Sequence, residues 1–335
     1  MNLSGSRTWL LTALLLIPLL CAGWFAWFAA SPAGEGQVIR IVDLAKGGSL
    51  KKFGDELAGQ SVIRSGFMFQ LLARVNGAAS KAKAGTYQLS DAMSPSEILR
   101  KLVAGEVYEK KFALPEGYSI FQAAELLESK KLFKGEEFLA ACRDRQILKQ
   151  LGITAKTAEG YLYPGTYNLL KMEEPSDLVK AMAEQADKLY NEKFAQLEKS
   201  TKLSRHQILT LASIVEKEAV LPQERPLIAS VFLNRLKKKM PLQSDPTATY
   251  GLRAFGGKVT GSDVRRDTPY NTYIIAGLPP GPIGNPSDGA IEAVLKPAST
   301  GYYYFVARKD GSHQFSVTLD EHNRAVKQYL KGKGA

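Results

Sequence analysis

The chain has 335 residues, of which 45% are hydrophobic and 23% are charged, so it is long enough for two or three folded domains. Its three histidines share no metal-ligand spacing and its two cysteines form no CxxC motif, which argues against a zinc site or a redox pair. The net charge of +11 comes from scattered lysine clusters with little aromatic interleaving, a pattern that indicates a solvated basic surface rather than a nucleic-acid site.

The first thirty residues predict a membrane anchor. Residues 9–30, "WLLTALLLIPLLCAGWFAWFAA", are uncharged and long enough to cross a bilayer as a helix. Because Arg7 precedes this transmembrane run, we expect residues 1–8 to form a cytoplasmic tail. The run is long for a signal peptide, so we favour an uncleaved anchor over cleavage near Ser31 and Ala33, or lipid attachment at Cys21.

A linker of small residues, 31–36, is followed by an internal repeat. Residues 83–102 align without gaps with residues 163–182, most clearly at the shared "GTY". Each copy reads as a strand, two helices, a second strand and a closing helix, which predicts two α+β modules. We expect residues 37–107 to form a membrane-proximal module similar to the carbohydrate-binding LysM type, although a plain spacer fits the same pattern. Residues 108–198 form the second copy and open a catalytic region, 108–335.

The last part of the chain, residues 199–335, has a different character and is predicted to hold the catalytic core. Ser204, with Gln207 three positions later, predicts the start of a helix through a capping box. A second helix is expected at 224–240, and a stretch rich in Gly, Pro, Asn, Thr and Tyr then predicts ordered loops that line a groove. Residues 301–316 read as a closing β-hairpin.

The stretch "LASIVEKEAV" (211–220) places two glutamates in a run that otherwise reads as a buried helix face. At 100° per residue, Glu218 falls on the apolar stripe, and Glu216 lies roughly 160° away, so the two cannot project into one site. Burial raises the pKa of a carboxyl group, which would suit Glu218 to act as a general acid near neutral pH. The alternative is that Glu218 pairs with a nearby Arg or Lys in a structural ion pair. For Glu216 we expect a structural contact.

Cleavage of a glycoside usually needs two carboxylates. Asp245 could supply the second, but neither it nor Asp263, Asp267 or Asp288 has a spacing that forces a pair with Glu218. A mechanism with one acid, in which a hydroxyl of the substrate itself attacks, fits the residues equally well. The residues alone therefore leave both mechanisms open.

Several motifs occur together in the order known from one protein family. They are "AEGYLYPGTYNL" (158–169), "ASIVEKEA" (212–219), "SVFLNRLKKKMPLQSDPTATYGL" (230–252), "YNTYIIAGLPPGPIGNPSDGAI" (270–291) and "YFVARKDGSHQFS" (304–316). With the N-terminal apolar run, they resemble the endolytic murein transglycosylases of the MltG, or YceG-like, family. The resemblance implies an N-terminal transmembrane helix, the LysM-like module and then an α+β lytic transglycosylase domain.

The resemblance also implies an activity and a location. Members are anchored in the bacterial inner membrane by one span, with the catalytic domain in the periplasm. They cut nascent peptidoglycan strands internally at the β-1,4 bond between N-acetylmuramic acid and N-acetylglucosamine. The muramic acid 6-hydroxyl attacks its own C1 and leaves a 1,6-anhydro end, so no water is consumed. The second glutamate of "EKE", here Glu218, is the catalytic residue of the family.

Several further positions are carried over from the family motifs as candidates for glycan contacts, although each could instead serve a structural role. They are Asn234, Gln243, Ser244, Asp245, Thr247, Tyr250, Asn271, Tyr273, Asn285 and Glu159. Neither a metal nor an organic cofactor is implied, and the family suggests penicillin-binding peptidoglycan synthases as partners. Two alternatives remain: a hydrolytic muramidase that uses Glu218 and Asp245, and a non-catalytic scaffold that binds the cell wall.

Overall fold

The computed structural model describes the backbone of residues 3–252 and 257–330, and the side chains in these ranges apart from those of residues 3–15 and Lys171. The chain divides into two compact units, Met1–Lys110 and Lys111–Ala335. Both units combine helices with two-stranded antiparallel sheets, which confirms the predicted α+β class.

The first unit begins with a 28-residue helix, α1 (Leu3–Ala30). Across the residues that the structure describes, we find no helix with both the length and the apolar character needed to span a membrane. Residues 9–15 of the predicted anchor lie outside the residues whose side chains are described. The large apolar side chains that are exposed on the rest of α1 are Leu16, Ile17, Leu19, Leu20, Trp24 and Trp27.

The rest of this unit follows the predicted order of strand, two helices, strand and helix. It consists of β1 (Ile39–Leu44), α2 (Leu50–Gly59), α3 (Gly66–Val75), β2 (Gly85–Ser90) and α4 (Pro95–Ala104). β1 and β2 pair antiparallel, with Val42 opposite Tyr87. Ser49 caps α2 as predicted, and the buried side chains of both strands and all three helices share one core.

The second unit opens with the other copy of the repeat. It comprises β3 (Lys111–Leu114), α5 (Ile120–Ser129), α6 (Gly135–Ala141), α7 (Arg145–Gln150), β4 (Gly165–Asn168) and the long α8 (Pro175–Glu198). β3 and β4 pair antiparallel, with Phe112 opposite Tyr167. In both copies the "GTY" tyrosine is buried and donates its hydroxyl to a carbonyl four residues earlier, Tyr87 to Lys83 and Tyr167 to Tyr163. The matching residues thus have the same local role.

The remaining elements of the second unit surround a separate core. They are α9 (Arg205–Glu218), α10 (Arg225–Lys237), the short α11 (Asp245–Thr249), α12 (Asp288–Leu295), β5 (Tyr304–Ala307), β6 (His313–Ser316) and α13 (Leu319–Tyr329). α9 begins at the predicted capping box of Ser204 and Gln207, and β5 and β6 form the predicted hairpin. Apolar residues of α9, α10 and α12 pack together and fill this core.

Gly160 and Gly152 of the second unit both have left-handed backbones but differ in how closely other atoms pack against them. Gly160 has a φ of +80°, and a Cβ atom there would lie 2.3 Å from Cγ of Pro282. Gly152 has a φ of +68°, but its Cβ position meets no atom within 4 Å. The first glycine is therefore required for both conformation and space, and the second for conformation alone.

We expect Gly160→Ala to destabilise the protein more than Gly152→Ala. Both substitutions force alanine into the left-handed region, which costs about 1–2 kcal/mol, and only Gly160→Ala adds a clash. Denaturant unfolding of the two variants measures the difference. Equal losses of unfolding free energy would show that the contact with Pro282 relaxes without cost.

Candidate active site

Glu218 is the last residue of α9, at the point where the chain leaves the helix. Ala219 follows in an extended conformation. The helix residues from 208 to 215 are all buried, whereas Glu218 is only partly buried. The helix is therefore fixed by the core and presents this carboxyl group where solvent or a ligand can reach it.

The three residues of the "EKE" motif bind three different sets of partners. Glu216 accepts hydrogen bonds from Arg225 Nη2 at 2.9 Å and from the backbone N–H of Ser287 at 3.0 Å. Lys217 Nζ donates to Gln122 Oε1 at 3.1 Å. Glu218 accepts a hydrogen bond from another partner, so the two carboxylates are separated as the helix geometry predicts. Glu216 makes a structural ion pair.

The Ser244 hydroxyl is the direct partner of Glu218, with Oγ at 2.6 Å from Oε1. Burial raises the pKa of Glu218 to about 7. The hydrogen bond from Ser244 and the positive charge of Arg235 oppose this rise, and the negative charge of Asp245 adds to it. A carboxyl group with this pKa occupies both protonation states near neutral pH, so it can donate a proton and take one back.

Ser244 is held in place by the buried hydroxyls of two threonines. Its backbone N–H donates to Thr272 Oγ1 at 3.0 Å, and its carbonyl accepts from Thr247 Oγ1 at 2.6 Å. The two threonine hydroxyls are 2.8 Å apart and bonded to each other. The preceding residue, Gln243, has a left-handed φ of +50°, which is uncommon for a residue with a side chain. This local conformation and the threonine contacts together direct the Ser244 hydroxyl at Glu218.

Asp245 and Tyr273 form a second contact beside Glu218. The Tyr273 hydroxyl donates to Asp245 Oδ1 at 2.7 Å. Asp245 is exposed, whereas Tyr273 is partly buried. Burial raises the pKa of the tyrosine, and its neighbours Asp245 and Glu218 raise it further. Tyr273 is therefore a neutral donor near pH 7, and Asp245 keeps one carboxylate oxygen outside this hydrogen bond.

Arg235 belongs to the same site, and the sequence analysis missed it. The side chain is buried, and it donates to the carbonyls of Tyr303 at 2.6 Å and Leu242 at 2.9 Å. A longer bond reaches Gln243 Oε1 at 3.3 Å. Arg235 thus fixes the segment that carries Ser244 and also places a positive charge near Glu218. The sequence pattern could have indicated that Arg235 is buried, because it continues the buried stripe of Ile228 and Phe232 at helical spacing.

Three of the predicted candidates lie in another, buried cluster. The Glu159 carboxylate accepts from the N–H of Ile120 at 3.1 Å and from the Tyr250 hydroxyl at 2.9 Å. The Asn285 amide donates to the Tyr118 carbonyl at 2.8 Å and lies 3.5 Å from Glu159. Burial raises the pKa of Glu159 to about 8. With 2% of its surface exposed, Glu159 binds the start of α5 and does not line an open surface.

Two other candidates support the backbone. The Asn234 amide donates to the carbonyls of Thr300 at 2.9 Å and Tyr302 at 3.0 Å. Asn271 is fully buried, and its amide donates to the carbonyls of Arg266 at 2.8 Å and of Val264 at 3.1 Å. Thr247 is likewise buried. Of the predicted positions, only Gln243, Ser244, Asp245 and Tyr273 group around Glu218.

Within residues 3–252 and 257–330, no group of three or more His, Cys, Asp and Glu side chains is placed to hold a metal ion.

The comparisons with known proteins agree on one family. A sequence model described as the YceG-like family matches residues 42–328. The chain is 35% identical over 308 residues to a Bacillus subtilis protein named endolytic murein transglycosylase, across 87% of this chain and 85% of that protein. A Streptococcus pneumoniae protein of the same name is 29% identical over 324 residues, across 87% of this chain and 58% of that protein.

A solved structure gives the same result. The crystal structure of a YceG-like protein from Listeria monocytogenes matches with a TM-score of 0.61 and 35% identity, across 86% of this chain and 99% of that one. The architecture and the Glu218 site thus occur in a chain of the endolytic transglycosylase class. The chain belongs to the YceG-like family, which confirms the resemblance.

We expect Ser244→Ala to raise the pKa of Glu218, because the lost hydrogen bond favours the charged carboxylate. The titration of the Glu218 carboxyl carbon, followed by NMR on protein with labelled glutamate, should shift to higher pH. Ser213→Ala is the matched control, since it removes a buried hydroxyl of α9 that binds Thr210 and Ile283 instead. The same Glu218 titration in both variants would contradict the assigned role of Ser244.

Proposed function

We propose that the chain is an endolytic murein transglycosylase, a lyase that cuts peptidoglycan strands internally, with Glu218 as its single general acid and base. The observation that carries the proposal is the partly exposed Glu218 carboxyl, with a pKa of about 7 and a 2.6 Å hydrogen bond from Ser244. The similarity to relatives that bear this enzyme name supports the activity.

In the proposed reaction, protonated Glu218 gives its proton to the glycosidic oxygen between N-acetylmuramic acid and N-acetylglucosamine. The bond from muramic C1 to this oxygen breaks, and positive charge develops at C1. The muramic 6-hydroxyl attacks C1, and the Glu218 carboxylate takes its proton, which restores the acid. An attacking group within the same sugar has a high effective concentration, so water need not take part.

The neighbours of Glu218 have complementary roles in this cycle. Ser244 and Arg235 stabilise the carboxylate that exists after the first proton transfer. Asp245 opposes that charge and keeps the resting group protonated closer to neutral pH. We propose that Gln243 and Asp245, which are exposed, and Tyr273, which is partly buried, contact the glycan, since they lie beside the acid and reach solvent.

A hydrolytic muramidase is the second candidate, and the proximity of Asp245 to Glu218 is the observation that favours it. In such an enzyme Asp245 would act as nucleophile or base. Its Oδ1 is occupied by Tyr273, but the other oxygen remains accessible for this role. The two candidates leave different products. The transglycosylase leaves an anhydro end and consumes no water, whereas the hydrolase consumes water and leaves a reducing end.

We further propose that residues 9–30 anchor the enzyme in the inner membrane, with the catalytic region, 108–335, in the periplasm. The uncharged sequence and the exposed leucines and tryptophans of α1 support this placement. We propose that residues 37–107 act as a LysM-like carbohydrate-binding module, supported by their strand, two-helix and strand order. Penicillin-binding synthases are the partners that the family suggests.

We expect Glu218→Gln to lower glycan cleavage by more than about 100-fold, because the amide cannot donate an acidic proton. Mass spectrometry of digests of purified sacculi should find 1,6-anhydro-muramic ends with the wild-type protein. Glu216→Gln is the control within the same motif and should retain cleavage with a lower melting temperature. Cleavage at the wild-type rate by Glu218→Gln would contradict the assignment of Glu218. Absence of cleavage by the wild-type protein would favour a scaffold, and reducing ends would favour the hydrolase.

The pH dependence of cleavage separates the roles of Glu218 and Asp245. Since the acid must be protonated, the rate should fall as pH rises above about 7, by about tenfold per pH unit well beyond that pKa. Asp245→Asn removes a negative charge that raises this pKa, so the fall should begin at lower pH with the same anhydro product. A hydrolase that needs Asp245 would instead lose cleavage at every pH.

A further inference from the structure

The second unit contains a recess of about 610 Å³ that does not include Glu218. We call it the tyrosine recess, because Tyr161, Tyr163 and Tyr190 contribute to its wall. His206 lies on its wall near the first turn of α9, and Glu218 ends the same helix twelve residues later. At 1.5 Å per residue His206 and Glu218 are about 18 Å apart along the helix axis. None of the residues grouped around Glu218 lines the recess, so the recess is separate from the candidate active site.

The polar wall of the recess is already ordered by internal hydrogen bonds. The Tyr161 hydroxyl and His206 Nδ1 are 2.9 Å apart, and His206 Nε2 is 2.8 Å from the carbonyl of Pro280. The Tyr163 hydroxyl donates to Asp288 Oδ2 at 3.2 Å. The rings are therefore fixed before any ligand enters, which lowers the entropy cost of binding.

The charges of the recess are balanced in pairs. Arg205 donates to Asp187 at 2.6 Å, and its guanidinium lies 4.1 Å from the centre of the Tyr190 ring. Asp288 is bonded to Lys193. Each acidic side chain on the described wall thus has a basic partner, and a charged ligand would meet no uncompensated charge. A neutral ligand with hydroxyl and amide groups fits this wall better.

The recess also has the size and surface of a ligand site. Its volume is within the range of about 300–1,000 Å³ that is usual for bound small molecules. The wall combines aromatic rings with planar polar groups, including the exposed amide of Gln150 and the ring of His206. Aromatic rings offer an apolar face beside polar edges, which matches a sugar ring with its own apolar face and polar rim.

We propose that the tyrosine recess is a second saccharide site, which binds a neutral N-acetylated sugar of a glycan strand. This inference rests on the proposed function, since the glycan substrate supplies such sugars. With one contact in the recess and another at Glu218, a strand is held at two points of the second unit. The second contact raises the effective concentration of the strand at the acid, so its loss should raise KM more than it lowers kcat.

The test uses the full chain with Glu218→Gln, so that the ligand is not cut. The probe is N-acetylchitotetraose, a neutral β-1,4 oligomer of N-acetylglucosamine, that carries a photoreactive diazirine. After irradiation, mass spectrometry locates the adducts. We expect one set on peptides from 150–164 and 183–206, and a second set on peptides near Ser244 and Tyr273. Excess unmodified oligomer should remove both sets.

Ala186→Phe fills the recess from its wall on α8, and Ala195→Phe adds the same ring to α8 outside the recess. The first variant should lower labelling of the recess by about tenfold, which corresponds to about 1.4 kcal/mol of binding free energy. Labelling near Ser244 should fall less than recess labelling, because the contact at the acid remains, and Ala195→Phe should leave both sets unchanged. If Ala186→Phe does not fold, Gln150→Trp obstructs the recess from an exposed position.

Recess labelling that survives Ala186→Phe, or that unmodified oligomer does not remove, overturns the proposal. The proposal is also overturned if a peptidoglycan stem peptide displaces the probe and the oligosaccharide does not, because the recess would then bind peptide. Anhydro-muramic ends are measured in parallel with the same substitutions in the Glu218-containing chain. If the chain with an unsubstituted recess cleaves glycan but its recess is not labelled, only the second site is rejected. If this chain does not cleave glycan, the proposed function is rejected.

Discussion

The hydrogen bond between the Ser244 hydroxyl and the Glu218 carboxylate joins the two parts of the second unit that form the candidate active site. One part is a helix that the core fixes on all sides, and the other is a loop with little regular structure. The loop is positioned by Thr247, Thr272 and Arg235, which form hydrogen bonds to its backbone. A change in any of these contacts reaches the acid through one hydrogen bond, although none of them touches it directly.

Three glutamates of the second unit, Glu216, Glu159 and Glu218, differ in the hydrogen-bond partners of their carboxyl groups. Glu216 has a cation and a backbone N–H, which is a stable arrangement for a buried negative charge. Glu159 has a backbone N–H and a tyrosine hydroxyl, and burial favours its neutral form. Of these three glutamates, Glu218 alone combines partial exposure with a single neutral donor. Because the charge of Glu218 is only partly compensated, its pKa is about 7. Both protonation states are therefore populated near neutral pH, as a proton-transfer group requires.

Features that depend on neighbours in sequence were predictable, and features that depend on distant residues were not. The helix cap at Ser204, the strands of the repeat and the separation of Glu216 from Glu218 follow from local spacing. By contrast, Ser244 meets Thr272 and Glu159 meets Ile120 only because the tertiary fold joins segments far apart in the chain. Asn234 and Asn271 illustrate the cost of this limit, since family motifs suggested sugar contacts where the amides bind backbone carbonyls.

The fourteen residues of α9 also constrain how the chain can vary. A residue inserted or deleted within the helix would shift Glu218 by about 1.5 Å along the axis and rotate it by about 100°. The rotation is the larger fault, because it would turn the carboxyl away from Ser244 and bring a core side chain to the surface. The number of residues in α9 therefore fixes the direction in which the Glu218 side chain points. Substitutions can accumulate along it, but insertions and deletions can be accommodated only before Ser204 or after Ala219.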